Sequence, residues 1–130
     1  MSGSDILVDT NIILYVLRGN DTLADFLNKK TIYIYFITEL ELLGFKMISP
    51  IEEVQINNLL SNCFVINLTT SLKNNYIKTR RQYNLKLADS LIAATSIDYG
   101  IPLITADKAF MQIKEIDLVA YFTNSNETDT

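Results

Sequence analysis

The chain has 130 residues, 48% of them hydrophobic and 20% charged, with a net charge of −4; this suits one globular domain with a sizeable core. There is no histidine and only one cysteine, Cys63. Ser-His-Asp and Cys-His catalysis, an internal disulfide and a thiolate zinc cluster are thereby excluded.

Cys63 lies in an apolar run, Cys63-Phe64-Val65-Ile66, and reads as core filler. The four glycines, Gly3, Gly19, Gly44 and Gly100, are too scattered for a phosphate-cradling loop. The first residues carry no basic, apolar leader. The apolar stretch 6–17 is broken by Asp9 and Asn11 and is too short to span a bilayer. The expectation is a cytoplasmic protein without membrane association.

In chain order, residues 5–9 read as a buried parallel strand that ends in a polar residue. Residues 11–18 are apolar almost all round and predict a buried helix, followed by a turn at Gly19-Asn20-Asp21. A short helix is expected at 22–28, and a strand at 31–37 from its β-prone composition. Helices follow at 38–48 and 51–61, then a strand at 64–68. Residues 71–83 and 88–99 predict two further helices, the second closed by Gly100. A strand at 102–105, a short helix at 108–113 and a strand at 118–122 complete a single domain, 1–122. The polar residues 123–130 read as a disordered tail. Alternating strands and helices make this an α/β chain with a mostly parallel sheet covered on both faces. Such folds bind ligands at the carboxyl ends of their strands.

The acids fall at that edge. Asp9 ends the first strand, Asp107 follows the fourth, Glu39 and Glu41 follow the second, and Asp89 opens the helix leading into the fourth. Converging carboxylates repel one another, and a hard divalent cation such as Mg²⁺ resolves that repulsion with oxygen ligands. Without histidine, metal-activated water is the available nucleophile for phosphodiester hydrolysis. Each acid also has a structural reading. Asp9, Asp89 and Asp107 are each placed to cap a helix, and Thr38-x-x-Glu41 has the spacing of a capping box. Glu39 suits the positive end of its helix. Two residues apart on one helix, Glu39 and Glu41 diverge, so only one can face a given ion. Thr105 is placed to support the site with its hydroxyl.

Between Glu53 and Asp89 there is no acid, and the stretch carries Lys73, Lys78, Arg80, Arg81 and Lys86. It is either a solvated helix face or a phosphate-binding patch on an otherwise acidic protein.

Val8-Asp9-Thr10-Asn11 resembles the opening signature of PIN domains. Ile37-Thr38-x-x-Glu41-Leu42 with Gly44 resembles their second motif. The run from Lys86 through Asp89 to Ala94 resembles the third, and Gly100-Ile-Pro-Leu-Ile-Thr105-Ala-Asp107-Lys-Ala-Phe110 the fourth. Order and spacing agree over roughly residues 5–122, and the nearest subgroup is the VapC-like toxins of toxin–antitoxin pairs. The resemblance implies a three-layer fold with a five-stranded parallel sheet flanked by helices. It also implies an endoribonuclease dependent on Mg²⁺ or Mn²⁺, held by Asp9, Glu41, Asp89 and Asp107 with Thr10, Asn11, Thr105 and Glu39 in support. It selects Glu41 over Glu39 as ligand, and implies a homodimer and a small antitoxin that covers the acidic site. Two alternatives keep the fold: a non-catalytic module that binds RNA or protein, and a nuclease acting on structured DNA. A phosphotransfer protein fits less well. Asn11 stands where an aspartyl phosphatase needs a second Asp, and Ile66-Asn67-Leu68 lacks the phosphoacceptor of a receiver.

Overall fold

The computed structural model describes residues 3–121; the tail 123–130 lies outside them, as does Phe122. Five strands, β1 (Asp5–Val8), β2 (Thr31–Tyr35), β3 (Phe64–Ile66), β4 (Leu103–Thr105) and β5 (Leu118–Ala120), form one sheet in the order β3-β2-β1-β4-β5. All four pairings are parallel, with Leu7 opposite Tyr33 on one side and Leu103 on the other. Because β1 sits between β2 and β4, the strand order reverses at its carboxyl end, where an α/β sheet opens a crevice.

Alternation along the strands sorts the core into two clusters. Ile6, Val8, Ile34 and Ile104 point to one face, with Ile12, Ile13, Leu23, Leu27, Leu42 and Ile56 packed on it. These come from the helices α1 (Thr10–Leu17), α2 (Asp21–Asn28), α3 (Phe36–Leu43) and α4 (Pro50–Leu60). Leu7, Tyr35 and Leu103 point the other way, against Leu72, Ile92, Ala93, Ala94 and Phe110. That layer holds α5 (Thr70–Gln82), α6 (Leu87–Tyr99) and a 3₁₀ turn at Lys108–Gln112. Ala93 and Ala94, both fully buried, let α6 lie close to the sheet. Gly100 ends α6 with a φ of 64°, a left-handed conformation that suits glycine. The expected layered α/β fold and its five parallel strands are observed.

Several boundaries differ from expectation. β2 stops at Tyr35, where its pairing with β3 ends at Ile66, and Phe36 and Ile37 begin α3 instead of extending the strand. α3 closes at Gly44 rather than running to residue 48. A Cβ at Gly44 would lie 2.6 Å from the Leu40 carbonyl oxygen, and the Gly44 N–H donates to that oxygen at 2.8 Å. The early start of α3 overturns the capping box expected at Thr38 and Glu41, because Thr38 is an interior, fully buried residue. A capping box does form at the start of α4, between Ser49 and Glu52, with Pro50 at the first helical position. Cys63 is half-buried beside the α4 cluster, and its thiol donates to the Leu59 carbonyl at 3.3 Å. Burial pushes that thiol up to about 11, which makes it unreactive filler.

Candidate active site

Asp9 leaves the end of β1 and carries two jobs. Its Oδ1 accepts the Ile12 N–H at 3.1 Å and so caps α1, while its Oδ2 accepts the Thr105 hydroxyl. Only 5% of Asp9 is exposed. Burial pushes its carboxyl from 3.8 up to about 6, with the Thr105 and Ile12 hydrogen bonds opposing the rise and Asp89 and Asp107 adding to it.

Thr105 ties this acid to the next one. Its oxygen also accepts the Asp107 N–H at 3.0 Å, while Asp107 Oδ1 accepts the Ala109 N–H at 2.9 Å and caps the 3₁₀ turn. The capping readings of Asp9 and Asp107 are therefore correct, and they leave both carboxyl groups at the crevice.

Asp89 is not the cap of its helix. α6 begins at Leu87 with Lys86 in the cap position, so Asp89 occupies the first turn. Its pKa is raised by burial first and then by Asp107; Lys86 opposes the shift, and Glu41 reinforces it. Glu41 comes from α3 and accepts the Thr10 hydroxyl at 2.7 Å on Oε1. Thr10 Oγ1 also lies 3.5 Å from Thr38 Oγ1.

Asp9, Thr10, Asn11, Glu41, Asp89 and Asp107, with Ala88 and Ile92, line one pocket of about 130 Å³. Four carboxylates from four distant segments thus share a cavity at the carboxyl edge of the sheet. Glu39, expected in support of the site, is absent from its lining; residues two apart on a helix diverge. Among the described residues no three acids are drawn together as a ready-made ligand shell. Walls of oxygen donors around a space of this kind suit a cation that keeps most of its own waters and takes one or two carboxylates, as Mg²⁺ does.

The basic stretch is split by the α5–α6 hairpin. Asp98, near the end of α6, accepts hydrogen bonds from Ser71 and Asn75 near the start of α5, so the two helices run antiparallel. Arg80, Arg81 and Lys86 therefore lie at the Asp89 end. Lys73 lies about 12 Å back along α5 from Arg81. All five cations, Lys73, Lys78, Arg80, Arg81 and Lys86, are exposed.

Sequence reasoning missed a second cavity of about 160 Å³ against the acidic pocket. Thr10 and Glu41 belong to both, and Leu14, Leu17, Arg18, Leu42, Phe45, Ile48, Glu52, Gln55 and Ile56 complete the lining. The nearly all-round apolar character of α1 was a trace of it, but a lone Arg18 or Gln55 carries no signal in sequence.

Residues 6–116 match the PIN domain. A chain in a toxin–antitoxin complex from Klebsiella pneumoniae is 28% identical with a TM-score of 0.78, over 91% of this chain and 99% of that one. VapBC2 from Rickettsia felis, bound to a DNA fragment from their promoter, matches at 21% identity and a TM-score of 0.80, over 89% and 98%. DNA-bound VapBC from Salmonella typhimurium matches at 20% identity and a TM-score of 0.80, over 89% and 97%. No curated protein matches the sequence. The last two structures speak to the fold alone; the domain match covers most of the chain. This chain belongs to the PIN-domain family, and its fold is VapC-like.

Proposed function

We propose that the protein is an endoribonuclease dependent on Mg²⁺ or Mn²⁺, and the toxin of a toxin–antitoxin pair. One observation carries the reading: Asp9, Glu41, Asp89 and Asp107 wall a single pocket, and the pKa values of Asp9 and Asp89 are raised in part by the other acids. Such a set holds like charges together, opposed at Asp89 by Lys86, which is the electrostatic demand a divalent ion meets.

Asp9, Glu41, Asp89 and Asp107 would hold the ion. Bound there, it supplies positive charge beside the scissile phosphate and makes water a competent nucleophile at neutral pH. The protein's own residues do the positioning. Thr105 and the Ile12 N–H fix both oxygens of Asp9, and Thr10 fixes Glu41. Lys86, Arg80 and Arg81, at the same end of the α5–α6 hairpin as Asp89, would meet flanking phosphates. Water attack of this kind leaves a 3′-hydroxyl and a 5′-phosphate and does not use the ribose 2′-hydroxyl. The choice of RNA over DNA therefore rests on the resemblance to VapC-like toxins.

The partner reading is supported by the Klebsiella structure, which is a toxin–antitoxin complex. An antitoxin covering the acidic pocket would switch the enzyme off, and a homodimer is the assembly that the resemblance implies. Among the described residues no helix is long and apolar enough to cross a membrane.

The test is cleavage of total cellular RNA by the purified protein with Mg²⁺, with Mn²⁺ and with chelator, beside Asp89→Asn. Discrete fragments that require both metal and Asp89 support the reading. Cleavage equal to that of the mutant removes it.

A further inference from the structure

We propose that Tyr121 is a positioning residue for the acidic pocket, although it is not part of the lining. It closes a ring of contacts that fixes Thr105 and both ends of α1, and through them Asp9, Asp107 and Glu41. The inference rests on the metal-dependent reading and adds a residue to it; the fastening itself can be tested without metal.

β5 is an edge strand of three residues, paired only with β4. So short a ladder at a sheet edge opens locally at little cost unless something else holds it. Its end has work to do in the site, because the Tyr121 N–H donates to the Thr105 carbonyl at 2.8 Å. The hydroxyl of the same Thr105 donates to Asp9 and accepts the Asp107 N–H. Fraying of β5 would therefore loosen the residue that holds two of the four acids.

The side chain of Tyr121 supplies the anchor. Its phenol oxygen accepts the Asn20 side-chain N–H at 2.7 Å, and its ring centroid lies 6.2 Å from that of Tyr15. The other end of the Asn20 amide is occupied as well: Oδ1 accepts the Leu23 N–H at 3.0 Å and caps α2. The Asn20 N–H donates to the Tyr15 carbonyl at 3.0 Å. Ring and phenol thus grip one compact turn at the far end of α1.

α1 is fastened to the β4–β5 pair at both ends in this way. Asp9 caps its start while bonded to Thr105, and Tyr15 and Asn20 hold its finish against Tyr121. Thr10, the first residue of α1, donates to Glu41. A slip of α1 would move Asp9 and Thr10 together and change the spacing of carboxylates that an octahedral cation demands.

Amide hydrogen exchange of the metal-free full chain tests the fastening, with Mn²⁺ titration beside it. The amides to follow are those of Ile12, Asp107 and Ala109, which donate to Asp9, Thr105 and Asp107. In Tyr121→Ala they should exchange about fivefold faster relative to those of Ala93 and Ala94, buried in α6. Mn²⁺ affinity should fall about tenfold. Tyr121→Phe keeps the ring, strands the Asn20 amide and should show both effects in smaller measure. A merely structural residue would speed all of these amides alike. That result, Tyr121→Phe indistinguishable from wild type, or Tyr121→Ala with unchanged Mn²⁺ affinity would overturn the proposal. Wild type that binds no Mn²⁺ would remove the metal-dependent reading, and the exchange rates would still decide whether Tyr121 holds the pocket.

Discussion

Thr10 Oγ1 donates to Glu41 Oε1 at 2.7 Å, joining residues 31 apart in sequence. The bond fixes an exposed glutamate at the pocket that it lines together with buried Asp9. Glu39, on the same helix, has no place in that lining. Thr10→Val should therefore weaken metal-dependent cleavage and metal affinity by about 10- to 100-fold while the fold is kept, the usual range for a group that orients a ligand. Thr10→Ser should keep most of both. Glu41→Gln should lose more than Thr10→Val, and Glu39→Gln should stay near wild type. The check is the Mn²⁺ dependence of RNA cleavage across the four variants. Equal losses in Glu39→Gln and Glu41→Gln would put the wrong face of α3 at the site.

Thr105 is fully buried and satisfies two groups at once, the Asp9 carboxylate and the Asp107 N–H. Valine matches its shape but neither donates nor accepts. Thr105→Val should cost about 1–3 kcal/mol of stability in urea unfolding, the penalty for stranding a buried polar group. Thr105→Ser keeps the hydroxyl and should cost about 1 kcal/mol for the lost methyl. If valine proved no worse than serine, the hydroxyl would not be what holds the two acids in register.

Much of this was legible in sequence, for identifiable reasons. Asp9 and Asp107 each follow a short apolar run, and a parallel strand buried on both faces reads that way. Asp89 was legible as a helix-opening acid, but its place within the first turn depended on where α6 starts. The β2–α3 boundary was not legible. Phe36 and Ile37 favour strands by type, yet strand propensity expresses packing context, and the partner strand ends opposite Tyr35. Thr38 and Glu41 copy a capping box in spacing alone, whereas Ser49 and Glu52 form one, with Pro50 between them to mark the start. The Thr10–Glu41 bond and the apolar cavity arise where α1, α3 and α4 meet, and no local pattern encodes such a meeting.

Gly44 is required by a close approach rather than by an unusual φ. Its φ is −85°, open to any residue, but an added Cβ would sit 2.6 Å from the Leu40 carbonyl oxygen. Gly44→Ala should therefore push the end of α3 away and destabilise the protein by about 1–3 kcal/mol, as overpacking does. Thermal unfolding of Gly44→Ala beside wild type decides this. An unchanged or higher melting temperature would show that the Leu40 carbonyl yields without cost.

The acid pocket also makes the metal-free protein sensitive to pH, with a definite sign. Asp9 titrates near 6 when folded and at an ordinary 3.8 when free, so the folded state binds this proton more tightly than the unfolded chain. The resulting stabilisation is complete below about pH 4 and disappears as pH rises through 6. A shift of about two units corresponds to about 3 kcal/mol, and the raised pKa of Asp89 acts in the same direction. Asn at position 9 imitates the neutral acid. In chelator, Asp9→Asn should be more stable than wild type at pH 7 by up to about 3 kcal/mol, and equal to it at pH 4. Adding Mg²⁺ at pH 7 should stabilise wild type strongly and the mutant little, because only the ionised carboxylate attracts the ion. Denaturant unfolding at the two pH values, with and without Mg²⁺, measures all of these terms. Wild type equal to or above Asp9→Asn at pH 7 without metal would show that burial of the Asp9 charge is not the strain that a bound cation relieves.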